Sequence, residues 1–92
     1  MKKIWKFSLE ITDLQKARMP KGAVILTIKS QRGFPCLWAI VNPLETDYED
    51  RHIEFIGTGN PFEEARRNYI GTIQTHNESL VWHVFERKDE NK

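Results

Sequence analysis

Short runs of alternating apolar and polar side chains, broken by turn residues, recur along the whole chain. From residue 5 to residue 11 every second side chain is apolar, which is typical of a strand with one buried face. This pattern predicts an all-β fold, with one short helix at most, in which about six antiparallel strands form a curled meander, a small barrel or a sandwich. The predicted strands are residues 4–11, 23–31, 34–42, 51–58, 69–76 and 80–86.

With 92 residues, the chain has the length of one domain. We expect a single β-rich domain over residues 1–86, in which residues 12–22 connect the first two strands, followed by a charged tail over 87–92. A chain of this length buries only about 60–65% of the surface that its unfolded form exposes. Because the core is small, assembly into a homo-oligomer, a dimer or a tetramer, would stabilise it.

The run over residues 34–42 is apolar on both faces, which predicts a strand at the centre of a sheet or at an oligomer interface. A tight turn is expected before it at Arg32-Gly33, where Gly33 can adopt a positive φ. In the preceding strand, the alternation places Val24, Leu26 and Ile28 on one face.

Residues 55–74 contain the triplet Ile-Gly-Thr twice, ending at Thr58 and at Thr72. Asn60 and Pro61 are typical of a helix start, so residues 61–68 are predicted to form a short helix. The start of that helix could hold an anion, or the segment could be a plain capped connection. Because the predicted first turn is acidic, the flanking triplets are the better candidates. If the flanking strands are neighbours, Thr58, Tyr69 and Thr72 line one pocket.

The net charge of +1 argues against binding to DNA or RNA, which relies on clustered Lys and Arg. The single cysteine, Cys36, excludes an internal disulfide and suits a reducing compartment. No run reaches the roughly 18 apolar residues of a membrane helix, and no signal peptide is evident. We therefore expect a cytoplasmic protein without a membrane partner.

No sequence pattern of a catalytic or metal centre is evident. There is no nucleophile elbow and no Cys–His spacing. His52, His76 and His83 fall on separate predicted strands, without the spacing of a zinc site, so a metal-dependent hydrolase is only an alternative reading. We predict no enzymatic activity, no metal and no cofactor.

A binding protein fits the composition better, because 11% of the residues are aromatic. Aromatic rings stack on bases, hydroxyl and amide groups bond base edges, and arginine pairs with phosphates. Other readings stay open: core packing for each tryptophan, a solvated helix face for Arg66 and Arg67, and a hydrogen-bonded core histidine for His83. The candidate ligand-binding residues are Trp5, Trp38, Arg51, Thr58, Asn60, Tyr69, Thr72, Gln74, Trp82 and His83.

Several segments spread over the chain resemble a family of small phage and bacterial proteins of unknown function. The loop over residues 44–50 and the predicted helix are outside the resemblance, which leaves Arg66 and Arg67 without support as family ligands. The matching residues are 4–7, 19–23, 35–39, 57–59 with Pro61, 69–72 and 80–85.

The chain is similar to viral sponge proteins that sequester cyclic nucleotide immune signals, notably the fourth anti-CBASS class. That resemblance implies a small oligomer, a tetramer, which binds cyclic dinucleotides such as 3′3′-cGAMP without cleaving them. It implies a phage immune-evasion protein in the host cytoplasm. The alternative is a structural or interaction protein of a phage that binds a host or virion protein through an exposed strand edge.

Overall fold

A computed structural model describes residues 1–88 of the protein. These residues form seven antiparallel β-strands in two sheets. The predicted all-β class is confirmed. Arg87 belongs to the last strand, and residues 89–92 of the predicted tail lie outside the described residues. The strands are β1 (Lys3–Ser8), β2 (Leu14–Pro20), β3 (Val24–Gln31), β4 (Phe34–Val41), β5 (Tyr48–Gly57), β6 (Arg67–Thr75) and β7 (Leu80–Arg87).

Strand β2 occupies a segment that the sequence pattern assigned to a connection. It pairs with β5, and its Ala17 and Met19 side chains are buried in the core while Lys16 and Arg18 point outward. The alternation is therefore present, but a small alanine and two long basic residues make it weak. Residues 1–88 thus contain seven strands where about six were expected.

The short helix predicted over residues 61–68 is wrong. Residues 61–64 have no regular structure, residues 65–66 form a turn, and Arg66 has a positive φ of 61°. A helix of this length is marginal in water unless it packs an apolar face. Here the segment must instead cross β7, because β7 lies between β5 and β6 in the sheet.

The two sheets have the strand orders β1-β4-β3 and β2-β5-β7-β6. The central position predicted for residues 34–42 is confirmed, since β4 pairs with both β1 and β3. The predicted turn before it is also confirmed: Arg32 and Gly33 have φ values of 55° and 84°. Positive φ at both positions is what a type I′ hairpin turn requires.

A β-bulge in β3 corrects the predicted facing of its side chains. The register with β4 shifts between Ile25 and Thr27, so that an extra residue is accommodated on β3. As a result Ile25 and Ile28 both pack toward the core, whereas Leu26 is 45% exposed.

The core lies between the two sheets and draws on both. Leu37 and Val41 from β4 pack with Met19, Ile53 and Val84 from the other sheet. The edge strands β3 and β6 also meet: a Cβ on Gly71 would lie 3.1 Å from Cγ2 of Ile28. The absence of a side chain at this position allows the two sheets to approach closely along one side.

The outer face of the three-stranded sheet is apolar at one end. Strand pairing aligns Ile4, Ile40 and Val24 in one row, with Trp38 beside them, and we call these four residues the apolar face. Ile4 is 60% and Val24 is 52% exposed. Lys6 and Lys29 lie toward the other end.

The part of the chain that the structure describes contains no helix that is long and apolar enough to cross a membrane.

Candidate ligand-binding site

Four polar side chains on the outer face of the four-stranded sheet are linked by hydrogen bonds. The Tyr69 hydroxyl lies 2.5 Å from Oγ1 of Thr72, which lies 3.1 Å from Nδ1 of His83. On the other side of the ring, Nε2 of His83 lies 2.7 Å from Oγ1 of Thr58. We call this series the hydroxyl–imidazole chain. The strands that carry Thr58 and Tyr69 are not neighbours, as the pocket prediction assumed; His83 on β7 bridges them.

The polarity of the hydroxyl–imidazole chain depends on the tautomer of His83. When Nε2 carries the proton it donates to Thr58, while Nδ1 accepts from Thr72 and Thr72 accepts from Tyr69. The hydroxyl hydrogen of Thr58 is then free. In the other tautomer every bond reverses, and the free hydrogen is that of Tyr69. The site can therefore offer a donor to a ligand at either end by moving one proton on the ring.

Three aromatic rings lie next to this chain. The centroid of the Phe85 ring is 4.6 Å from that of Phe62 and 5.4 Å from that of Tyr69, both at tilted angles that favour aromatic contacts. Tyr69 is 60% exposed. The guanidinium carbon of Arg67 is 5.4 Å from the Phe62 centroid, while Nε of the same residue donates to Glu54 at 2.6 Å. The ion pair thus fixes Arg67 as a support for Phe62.

The rings and the imidazole border a shallow pocket of about 230 Å³, which we call the aromatic pocket. One rim is the turn after β5. In this turn the backbone N–H of Asn60 donates to the carbonyl of Gly57 at 3.1 Å, and Gly59 has a φ of 92°. Thr72 does not line the pocket and is connected to it only through its hydrogen bonds to Tyr69 and His83. The lining residues are Ile56, Gly57, Thr58, Gly59, Asn60, Phe62, Tyr69, His83 and Phe85.

The three tryptophans lie away from this pocket. Trp5 and Trp82 pack against the core, and the indole Nε1 of Trp82 donates to the buried Thr75 hydroxyl at 3.0 Å. Trp38 is part of the apolar face on the other sheet. The structure therefore does not bring the candidate tryptophans together with Tyr69 and His83.

Arg51 is committed to protein partners. Its guanidinium donates to both carboxylate oxygens of Glu86, at 2.5 and 3.0 Å, and to the carbonyl of Ala23 at 2.7 Å. The hydrogen bond to Glu86 raises the pKa of Arg51 above its usual value. This bidentate pair ties β5 and β7 to the start of β3, and it occupies the groups that the sequence interpretation assigned to phosphate.

Gln74 points outward from β6 beyond the aromatic pocket, in a separate cleft near the ends of two hairpins.

Sequence reasoning missed Phe62 and Phe85 as site residues. Phe85 could have been identified from the sequence, since it lies two residues from His83 and strand alternation places both side chains on one face. No sequence pattern identifies Phe62, because its position depends on the path by which residues 58–66 cross β7.

Within residues 1–88, no group of three or more His, Cys, Asp and Glu side chains is placed to hold a metal ion. The three histidines lie apart, with His52 on β5, His76 in the turn after β6 and His83 on β7.

Comparisons with known proteins identify a family and no individual relative. Residues 1–92 match a family described as a domain of unknown function (DUF7352). No curated protein and no solved structure gives a significant match. Because the match extends over the whole sequence, the chain belongs to the DUF7352 family.

Proposed function

We propose that the protein binds a nucleotide at the aromatic pocket and does not change it chemically. The observation that carries this proposal is the cluster of two exposed rings, Phe62 and Tyr69, on the half-buried Phe85 beside the hydroxyl–imidazole chain. Base stacking on aromatic side chains contributes about 1–3 kcal/mol per base and tolerates any base.

Polar groups at the rim would select among bases. The free hydroxyl hydrogen of Thr58 or Tyr69, and the amide group of Asn60, can each meet a nitrogen or oxygen on a base edge. Since the tautomer of His83 decides which hydroxyl is free, the site can adjust to acceptors in two positions.

The size of the pocket favours one base per protomer. Its volume of about 230 Å³ is below the roughly 300–1,000 Å³ that is common for pockets enclosing a whole small molecule. A cyclic dinucleotide carries two bases, so we expect two protomers to share one ligand such as 3′3′-cGAMP, in line with the resemblance to sponge proteins.

We further propose that copies of the chain associate through the apolar face. A two-fold axis through the row of Ile4, Ile40 and Val24 would bury these side chains against themselves and leave Lys6 and Lys29 at the rim. This face and the aromatic pocket are on opposite sheets, so the two protomers that share a ligand belong to different pairs joined through the apolar face, as a tetramer allows. The proposed role is sequestration of a cyclic nucleotide signal in the host cytoplasm during phage infection.

Isothermal titration calorimetry with a panel of cyclic dinucleotides tests the proposal. We expect saturable binding of at least one compound, with one ligand per two protomers, and recovery of the ligand intact by chromatography. Tyr69→Phe should weaken binding several-fold, while Tyr48→Phe, which removes a hydroxyl from another exposed tyrosine, should not. Absence of heat and of any thermal shift with every compound would refute the proposal. A stable protein partner in pull-downs would then favour the interaction protein.

A further inference from the structure

A second depression lies away from the aromatic pocket, where the β3–β4 turn meets the end of β6. Its volume is about 480 Å³, within the roughly 300–1,000 Å³ of typical ligand sites. Lys29 and Arg32 line it from one hairpin, and His76 and Glu78 line it from the other. We call this depression the cationic cleft.

Its charge is concentrated relative to the whole chain. Two permanent cations and one imidazole face a single carboxylate, whereas the complete sequence has a net charge of only +1. Within residues 1–88, the side chains of Lys29, Arg32 and His76 have no hydrogen bond or ion pair. Ser30 and Gln74 add uncommitted polar groups on the same walls.

The backbone at both ends of the cleft adopts a conformation that ordinary residues avoid. Arg32 has a φ of 55°, and the three consecutive residues His76, Asn77 and Glu78 have φ values of 55°, 56° and 70°. The two-residue turn between β3 and β4 requires this conformation at Arg32, and the other three residues belong to the turn between β6 and β7. The two turns place a guanidinium and an imidazole at one cleft from separate hairpins.

We propose that the cationic cleft binds the phosphate groups of a small molecule. Arg32 offers a planar fork suited to two phosphate oxygens, Lys29 adds a point charge, and His76 and Gln74 add hydrogen-bond donors. The cleft shares no lining residue with the aromatic pocket, although Thr72 of the hydroxyl–imidazole chain lies on its wall, so a protein that fails to bind any base would still be expected to bind pyrophosphate.

Titration of the ¹⁵N-labelled full chain with inorganic pyrophosphate at low salt tests this assignment. We expect saturable shifts of the backbone amides at Arg32, Gly33 and residues 76–79. The double variant Lys29→Gln/Arg32→Asn should weaken binding at least tenfold. Arg32→Asn creates an Asn-Gly pair, which is favoured in a type I′ turn, so its loss of binding cannot be ascribed to unfolding.

A matched control removes the same charge elsewhere. Lys16→Thr/Lys21→Gln changes two exposed lysines outside the cleft and should alter the affinity less than twofold. Equal weakening in this control would show a net-charge effect and overturn the proposal, as would absence of saturable shifts up to about 10 mM pyrophosphate. Stronger shifts with oligothymidylate than with pyrophosphate would assign the cleft to a nucleic-acid backbone and contradict the small-molecule assignment.

Discussion

His83 is bonded through both ring nitrogens, to Thr58 on one side and to Thr72 on the other. The sequence indicated a hydrogen-bonded histidine, and the alternation along residues 80–86 places its ring on the same face as Phe85. It could not identify the partners, because those depend on β7 lying between β5 and β6. The reading of His83 as a core residue is wrong, since the ring lies half-buried on the outer face.

Replacing Thr72 by valine should disconnect Tyr69 from His83. The loss of exposed hydrogen bonds should lower the free energy of unfolding by no more than about 1 kcal/mol. The ¹⁵N chemical shifts of the His83 ring should move toward a different tautomer balance. Thr46→Val in an exposed loop provides the control, and unchanged His83 shifts in Thr72→Val would contradict the proposed linkage.

Trp82 was predicted as a stacking residue, with core packing as the other reading. Because its ring packs against the core and its Nε1 donates to Thr75, Trp82→Ala should destabilise the protein by about 3 kcal/mol in urea denaturation. Trp82→Phe should recover most of that loss. A fully stable Trp82→Ala variant that no longer binds nucleotide would instead support the stacking role.

At the scale of elements, strands with clear alternation were predictable and irregular segments were not. The turn at Arg32-Gly33 followed from local residue preferences. Strand β2 was missed because Ala17 is small, and the bulge in β3 reversed the expected facing of Ile28. The helix over residues 61–68 was predicted wrongly because Asn60 and Pro61 suit a turn as well as a helix start. The need for this segment to cross β7 favours the turn.

The β6–β7 hairpin turn contains a correctable conflict between residue type and backbone. The amide of Ser79 donates to the carbonyl of His76, and Glu78 occupies a central position with a φ of 70°. Glycine adopts this conformation without steric cost, so Glu78→Gly should raise the stability by about 1 kcal/mol. Thermal unfolding of the variant checks this, with Glu45→Gly in a loop as the control. A lower melting temperature for Glu78→Gly would contradict the turn geometry.

At the scale of the molecule, the sequence predicted the all-β class because alternation in most strands reports one buried face. It could not give the order β2-β5-β7-β6, since sequential pairing is only the default. The site was partly predictable for the same reason. Alternation indicates the facing of side chains on strands and at strand ends, where Thr58, Tyr69, Thr72 and His83 lie, but it does not indicate the facing of Phe62.

The proposed association through the apolar face can be tested with a single charge. Val24→Lys, at a position 52% exposed, should leave the fold intact and shift the mass from light scattering toward the monomer. Leu14→Lys, at a position 43% exposed on the other sheet, should leave the mass unchanged. A monomeric wild-type protein at all concentrations would contradict the proposed contact.

The central claim is that the aromatic pocket stacks a base, and Phe85→Leu tests it most directly because leucine keeps the apolar volume and removes the ring. Titration with 3′3′-cGAMP should show an affinity reduced about tenfold or more, as expected for the loss of about 1–3 kcal/mol of stacking. Phe34→Leu, which removes a ring that is 67% exposed on the other sheet, should change the affinity less than twofold. Equal affinities for the wild type and Phe85→Leu would contradict the account.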